Sequence, residues 1–154
     1  MAEIGELTKR LAEAAERAGR TVAVAESLTC GKLSSALGAG PDSARWLRGA
    51  VVAYSAQVKH RVLGVPDVPV VSETAARAMA AGARSLLGAD VAVAVTGVGG
   101  PGPQDGEPAG SVWLAVDAGG EQWARHEQFD CAPADVLAGA VEVAIAMLLA
   151  AVEG

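Results

Sequence analysis

A carboxylate and two hydroxyls lie in one short segment between an apolar run and a helical pattern. Residues 25–31 read Ala-Glu-Ser-Leu-Thr-Cys-Gly and contain Glu26, Ser27 and Thr29. Ligands of open α/β sheets bind beyond the carboxyl ends of strands, which is where this segment is expected. Unpaired amides at a helix start can stabilise an oxyanion or a phosphate. Ser27 therefore fits a nucleophile, and the alternative is that Ser27 and Thr29 only cap the helix.

The chain's single tyrosine and a lysine follow a second predicted strand. Tyr54 ends that strand, and Lys59 lies in the first turns of the next helix. A serine nucleophile needs a base, but His60 faces a different side of the helix from Lys59 and His126 lies in a late hairpin. Burial lowers the pKa of a lysine, because it penalises the charged form, and a neutral lysine can act as a base. We expect Ser27, Tyr54 and Lys59 to converge at one sheet edge, and the alternative is a surface lysine.

A third segment, at 96–110, is rich in glycine and proline and follows a predicted buried strand. Glycines let backbone amides approach an anion or a nucleotide closely. The segment is not a Walker loop, because no Gly-Lys-Ser/Thr follows. It is not a dinucleotide fingerprint, because no helix follows directly. A nucleotide-binding loop and a long structural loop both fit this pattern.

Positive charge is concentrated in one part of an acidic chain. The net charge of −6 argues against non-specific binding to nucleic acid or an acidic membrane. Between Cys30 and Pro66, however, Asp42 is the only acid, and this stretch holds five of the twelve cationic side chains: Lys32, Arg45, Arg48, Lys59 and Arg61. The cluster fits either a solvated basic face or a pocket for a small anion.

Strand and helix patterns alternate along the 154 residues. They predict a single domain over residues 1–154, with an α/β fold of α/β/α layers, a mixed sheet and a late antiparallel hairpin around Gly119-Gly120. Ser55, Ser72 and Pro133 are expected to begin helices. The predicted strands are 21–25, 51–54, 91–95, 111–116 and 122–129, and the predicted helices are 3–18, 32–37, 55–63, 73–87 and one from 133.

Location and metal content can also be predicted. Cys30 and Cys131 lack the spacing of zinc ligands and are expected to be free thiols. The N-terminal residues show no signal sequence, which favours a cytoplasmic location. The apolar run 136–152 carries Glu142 at its centre and is shorter than the ~20 residues of a membrane span, so a buried helix is expected.

Four motifs, in this order and at this spacing, resemble the C-terminal domain family of CinA. The family pattern is roughly Ala-Glu-Ser-x-Thr-Gly-Gly, Val-x-Tyr-Ser-Asn-x-x-Lys, Ala-Val-Ser and Thr-Gly-x-x-Gly-Pro. The corresponding segments here are 25–31, 52–59, 70–72 and 96–101, and the likeness extends from about residue 7 to residue 149. The resemblance implies an enzyme that hydrolyses the carboxamide of nicotinamide mononucleotide to nicotinate mononucleotide and ammonia. It implies no metal and no cofactor.

The resemblance also implies residue roles. Ser27 would attack the amide carbon, Lys59 would take the serine proton and pass it to ammonia, and Tyr54 would orient Lys59 or share the proton. Thr29 and Gly31 would stabilise the oxyanion, and the loop from residue 96 would hold the ribose phosphate with help from an arginine. The implied substrate-binding residues are Glu26, Thr29, Gly31, Arg45, Arg48, Ser55, Thr96, Gly97 and Gly100.

The chain departs from the family pattern in four places. Cys30 replaces a glycine, Ala56 replaces an asparagine and Glu107 replaces a lysine, while the late Gly-x-Arg-x-x-x-Arg pattern appears at 131–137 without either arginine. These changes weaken the expected phosphate site but leave the nucleophile and the base. An active amidohydrolase, a weak or inactive nucleotide-binding relative, and a partner-binding domain therefore all stay open. A small nucleotide and a second copy of the chain are the expected partners, with no nucleic acid and no membrane.

Overall fold

The computed structural model describes residues 2–154, in which five strands form one mixed sheet in the order β2-β1-β3-β4-β5. β1 pairs in parallel with both β2 and β3, whereas β3, β4 and β5 pair antiparallel in sequence. The predicted mixed sheet and late hairpin are confirmed. The strands are β1 (Val22–Glu26), β2 (Leu47–Val52), β3 (Val91–Gly97), β4 (Ser111–Asp117) and β5 (Gln122–Gln128).

Helices cover both faces of this sheet, as expected for an α/β/α domain. Two of them, α1 and α6, pack on each other and on one face, while α5 packs on the other face beside α4. The helices are α1 (Ala2–Ala18), α2 (Lys32–Gly38), α3 (Ser43–Trp46), α4 (Ala56–Leu63), α5 (Glu73–Leu87) and α6 (Pro133–Glu153).

The alternation of valine and alanine in the central strands separates the two layers. Successive side chains of a strand point to opposite faces. The valines of β1 and β3, including Val22 and Val93, therefore join the core beneath α1 and α6. The alanines, including Ala23 and Ala92, join the core beneath α5. Small side chains on that face let α5 lie close to the sheet.

Local signals at the helix ends act as the sequence predicts. The hydroxyls of Ser55 and Ser72 accept hydrogen bonds from the amides three residues later, which caps α4 and α5. Both helices end on glycines in the left-handed region, Gly64 at φ 71° and Gly88 at φ 63°. Pro133 begins α6. The element that supports Lys59 therefore has well-defined ends.

The helix α6 is long and apolar enough to cross a membrane by length and composition, the one such helix among residues 2–154. More than half of its most apolar stretch is buried inside the protein. Its inner face, which includes Ile145 and Leu148, packs in the core beneath α1 and β3. These contacts fit the buried helix that the sequence predicts.

The edge strand β2 differs from the expected one. It begins at Leu47 rather than at residue 51, and the short helix α3 comes directly before it. Arg48 and Gly49 interrupt its apolar pattern, and it is only partly covered because it lies at the sheet edge. The start of β2 pairs with the start of β1, at Val22, so residues near Leu47 lie at the end of β1 away from Ser27.

Candidate active site

Ser27 lies directly after the central strand β1, in the turn that leads to α2. Its side chain lines the main cavity, although the residue is only 7% exposed. The turn is closed by two hydrogen bonds, from the Cys30 amide to the Ser27 carbonyl at 3.1 Å and from the Lys32 amide to the Thr29 carbonyl at 2.9 Å. The strand end and this tight turn hold the Ser27 hydroxyl at the cavity wall.

Glu26 has a role that the resemblance does not imply. It is fully buried, and its carboxylate accepts hydrogen bonds from the amides of Gly31 (3.1 Å), Leu33 (3.0 Å) and Ser34 (2.8 Å) and from the Ser34 hydroxyl (2.6 Å). A carboxylate at a helix start satisfies unpaired amides and complements the helix dipole. The Glu26 carboxylate therefore caps α2, and Glu26 is not among the residues that line the cavity.

The two residues expected to hold the oxyanion also lie elsewhere. The Gly31 amide is already bonded to Glu26. The hydroxyl of Thr29 is completely buried and has no hydrogen-bond partner among residues 2–154. The cavity lining on this side consists of Ser27 and Leu28 instead. The backbone amides of Ser27 and Leu28 are therefore better candidates for an oxyanion donor than those of Thr29 and Gly31.

Lys59 is buried on the same cavity, only 2% exposed. Its ammonium donates a hydrogen bond to the Tyr54 carbonyl at 3.2 Å. Burial lowers the pKa of Lys59, and the nearby negative charge of Asp105 partly opposes this effect by raising it. The alternative of a surface lysine is wrong, and a buried amine with a lowered pKa is suited to accept a proton.

Tyr54 contributes to the site in a different way from the one expected. Its main-chain carbonyl, not its hydroxyl, holds the Lys59 ammonium. The residue is 70% exposed and is among those that line the cavity. Tyr54 therefore orients Lys59 through the backbone and leaves its ring free at the cavity surface.

The cavity that joins these groups has a volume of about 960 Å³. Four parts of the chain form it: the turn after β1, the segment from Tyr54 into α4, the segment before α5, and the glycine-rich loop after β3. The start of α6 closes one side. Its lining includes Ser27, Leu28, Tyr54, Lys59, Val70, Val71, Thr96, Gly97, Gly100, Gln104, Asp105, Pro133 and Leu137.

The glycine-rich loop supplies a large share of the cavity wall, which includes the candidate substrate-binding residues Thr96, Gly97 and Gly100. The Thr96 hydroxyl donates to the Val70 carbonyl at 2.7 Å, so it fixes the opposite wall. A Cβ atom at Gly97 would lie 2.6 Å from the Ser111 carbonyl oxygen, which explains the need for glycine there. Gly100 has a φ of 91°, a conformation that glycine adopts readily.

A tight turn at the far end of this loop brings Asp105 to the cavity. Gln104 and Glu107 exchange backbone hydrogen bonds of 3.0 and 2.8 Å across Asp105 and Gly106, whose φ values are 51° and 78°. Positive φ at both central positions defines a type I′ turn, for which Asp-Gly is a preferred pair. The Asp-Gly pair was the signal in the sequence that would have revealed this turn.

The remaining predicted residues divide into a capping serine and two distant arginines. Ser55 caps α4 and so positions Lys59 indirectly. Arg48 donates to the Leu87 carbonyl at the end of α5, and Arg45 lies in α3 before β2. Because β2 runs parallel to β1, both arginines lie near the amino ends of these strands, whereas Ser27 follows the carboxyl end of β1. The structure does not bring them to the cavity.

No group of three or more metal-binding side chains occurs in the described part of the chain. Both cysteines are exposed free thiols there. The residues around the cavity with reactive or ionisable side chains are Ser27, Lys59, Tyr54 and Asp105. This set can support acyl transfer by a serine and a lysine base.

A comparison with known proteins assigns the chain to a family. The sequence profile of the CinA C-terminal domain matches residues 4–152. The chain belongs to the CinA C-terminal domain family. This CinA domain is 40% identical over 136 residues to nicotinamide-nucleotide amidohydrolase PncC of Pseudomonas putida, and the alignment covers 84% of this chain and 85% of that protein.

Solved structures agree with this assignment. The competence or damage-inducible protein of Enterobacter asburiae superposes with a TM-score of 0.93 at 38% identity, covering 97% of this CinA domain and 98% of that chain. Other relatives are much longer. This domain spans 33% of a relative from Desulforamulus reducens and 25% of the CinA-like protein of Gemmatimonas aurantiaca.

Proposed function

We propose that this chain hydrolyses the carboxamide of nicotinamide mononucleotide, giving nicotinate mononucleotide and ammonia. The observation that carries the proposal is the buried Lys59 on the cavity that Ser27 lines. Burying an amine destabilises the fold, and buried groups with shifted pKa values cluster at functional sites. The PncC relative, which aligns over most of both chains, is named for this reaction.

The proposed reaction begins with neutral Lys59. The amine accepts the proton of the Ser27 hydroxyl as the serine oxygen forms a bond to the amide carbon. The Lys59 ammonium then protonates the amide nitrogen, the carbon–nitrogen bond breaks, and ammonia leaves. Water attacks the resulting ester, Lys59 takes a proton from that water, and the proton returns to Ser27 as the acid is released.

Ser27 and Lys59 must approach each other in this scheme. In the structure the Lys59 ammonium donates to the Tyr54 carbonyl. The ends of α4 are fixed by Ser55 and Gly64, so the required change is a rotation of the lysine side chain rather than a shift of the helix.

The oxyanion donor that we propose is the amide of Leu28. This residue follows the nucleophile and lines the cavity. In α/β-hydrolases, the amide of the residue after the nucleophile contributes to the oxyanion hole. Among residues 2–154, the Leu28 amide donates to no backbone carbonyl, whereas the Gly31 amide donates to the Glu26 carboxylate. Glycine amides of the loop after β3 are the proposed contacts of the ribose phosphate.

The test is to incubate the purified chain with nicotinamide mononucleotide and to measure ammonia and nicotinate mononucleotide together. Equal amounts of the two products are expected. Ser27→Ala should abolish both, while Ser85→Ala, on the exposed surface of α5, should leave the rate unchanged. Release of ammonia by Ser27→Ala at the wild-type rate would refute the proposed nucleophile.

A second candidate function is nucleotide binding without significant turnover. It is favoured by the wall formed by Pro133 and Leu137, at the two positions where the family pattern has arginine. That wall offers no cation to a phosphate. Calorimetric binding of nicotinamide mononucleotide without any ammonia release would select this candidate over the first.

A further inference from the structure

The described lining of the cavity contains two charged side chains of opposite sign. Among the described lining residues, Lys59 is the single cation and Asp105 the single carboxylate. A lysine that acts as a base must be neutral before it accepts a proton. With Lys59 neutral, Asp105 carries the only full charge on the wall. The reactive form of this cavity is therefore electrostatically negative and is suited to a ligand with a positive charge.

The backbone presents Asp105 to the cavity in a defined way. The residue is at the first central position of the type I′ turn closed by Gln104 and Glu107. The Ser111 hydroxyl contacts the Glu107 carboxylate at 3.3 Å and the Nε2 atom of His126 at 2.8 Å. The turn is thus attached to β4 and β5 at its base, while its tip carries the carboxylate.

An aromatic ring lies on the same cavity. The Tyr54 side chain is mostly exposed and has no hydrogen bond among the described residues. The face of a tyrosine ring attracts a cation within about 6 Å of its centre. A carboxylate and an aromatic face on one cavity are the two protein groups that favour a flat, positively charged ring.

We propose that Asp105 is a specificity-determining residue that binds the positively charged ring of an N-substituted pyridinium carboxamide. The inference rests on the proposed function, which brings a carboxamide to Ser27. It adds that the site selects the cationic ring over a neutral one. Free nicotinamide and dihydropyridine forms of the nucleotide carry the same carboxamide but no ring charge.

This arrangement also links binding to the state of the base. Without ligand, the Asp105 carboxylate stabilises the protonated form of Lys59 and so raises its pKa. A cationic ring beside Asp105 offsets the carboxylate charge and repels the protonated form of Lys59, so both effects lower the pKa of Lys59. The bound cation therefore favours neutral Lys59, the form that can accept the Ser27 proton. A neutral ring does not have this effect.

The test measures binding in the Ser27→Ala variant, so that no turnover occurs. The probes are 1-methylnicotinamide, a cation, and nicotinamide, which is neutral, and their dissociation constants are compared by calorimetry. We expect the cation to bind about two- to fivefold more tightly, as for a charge pair with an exposed carboxylate. The added substitution Asp105→Asn should remove this preference. Asp42→Asn should keep it, because Asp42 is exposed, has the same φ of 51° and lies outside the cavity lining.

The salt dependence provides a measurement that needs no further variant. The preference for 1-methylnicotinamide should fall as sodium chloride increases, because salt screens a partly exposed charge pair. Unchanged preference after Asp105→Asn is added, or equal binding of the two probes by the Ser27→Ala variant itself, would overturn the inference. A missing ammonia signal combined with a clear Asp105-dependent preference would instead refute only the proposed reaction.

Discussion

Replacing Glu26 by glutamine tests whether this residue is a structural cap or a substrate ligand. The carboxylate lies at the end of β1, next to the proposed nucleophile, so sequence position alone suits either role. In the structure its two oxygens accept four hydrogen bonds from residues at the start of α2. Glutamine has nearly the same shape but keeps only one acceptor oxygen and places an N–H group against the remaining donors.

The expected loss can be worked out from these bonds. Each carboxylate oxygen accepts two of the four, so glutamine loses two. A hydrogen bond to a charged group contributes about 1.5–3 kcal/mol, and a buried donor left unpaired adds a penalty. Glu26→Gln should therefore lower the free energy of unfolding by about 3–5 kcal/mol. That is a large share of the roughly 5–15 kcal/mol that stabilises a typical domain.

The assay is urea unfolding followed by circular dichroism. With a slope of about 2 kcal/mol per molar urea, the midpoint should fall by roughly 1.5–2.5 M. Glu73→Gln is the control, because its carboxylate is half exposed and pairs with Arg77 on the surface of α5. Its effect should be about 0.5 kcal/mol or less. A Glu26→Gln protein with wild-type stability and a raised KM would refute the capping role and support substrate binding.

Three further predictions concern Lys59 and the packing of α5 against the helix that carries it, α4. The value of kcat/KM should rise with pH through a pKa of Lys59 below 10.5, and Asp105→Asn should move this rise to lower pH, because the Asp105 carboxylate raises that pKa. Lys59→Met should raise Tm by about 2–5 °C near pH 7, because the buried ammonium destabilises the fold. The Tm difference should shrink as pH rises towards 10.5, because the folded wild-type chain loses its Lys59 proton at lower pH than the unfolded chain does. A Tm difference that stays constant with pH would contradict this prediction. Gly82→Ala should cost about 1–3 kcal/mol in urea unfolding, because its Cβ would overlap the Leu63 carbonyl at the end of α4. Gly5→Ala should instead be neutral or stabilising, because a Cβ there contacts nothing within 4 Å.

Local signals explain why much of the fold could be predicted from the sequence. Ser55 and Ser72 cap helices through atoms of their own segments, so the surrounding fold is not needed to identify them. The buried strands β1 and β3 each begin with an apolar run of valine and alanine. The convergence of Ser27 and Lys59 on one cavity follows from the same logic, because each belongs to a segment that follows a strand of a parallel pair.

The parts that could not be predicted depend on distant contacts. The resemblance implies that Arg45 or Arg48 helps to hold the phosphate, but both residues lie near the start of β2. Only the parallel pairing of β2 with β1, start to start, puts them at the end of these strands away from Ser27. The four bonds of Glu26 likewise depend on how α2 folds back over the end of β1. Asp105 reaches the cavity only because the loop after β3 returns towards α4.

The most direct test of the central claim is a double-mutant cycle on Ser27 and Lys59. Single variants Ser27→Ala and Lys59→Ala and the double variant are compared for ammonia release from nicotinamide mononucleotide under identical conditions. If the two side chains act as one catalytic unit, all three variants should lose nearly the same factor in kcat, because removing either member already removes the unit. Losses that multiply in the double variant would show independent roles. A Ser27→Ala protein that keeps most of its activity would contradict the account.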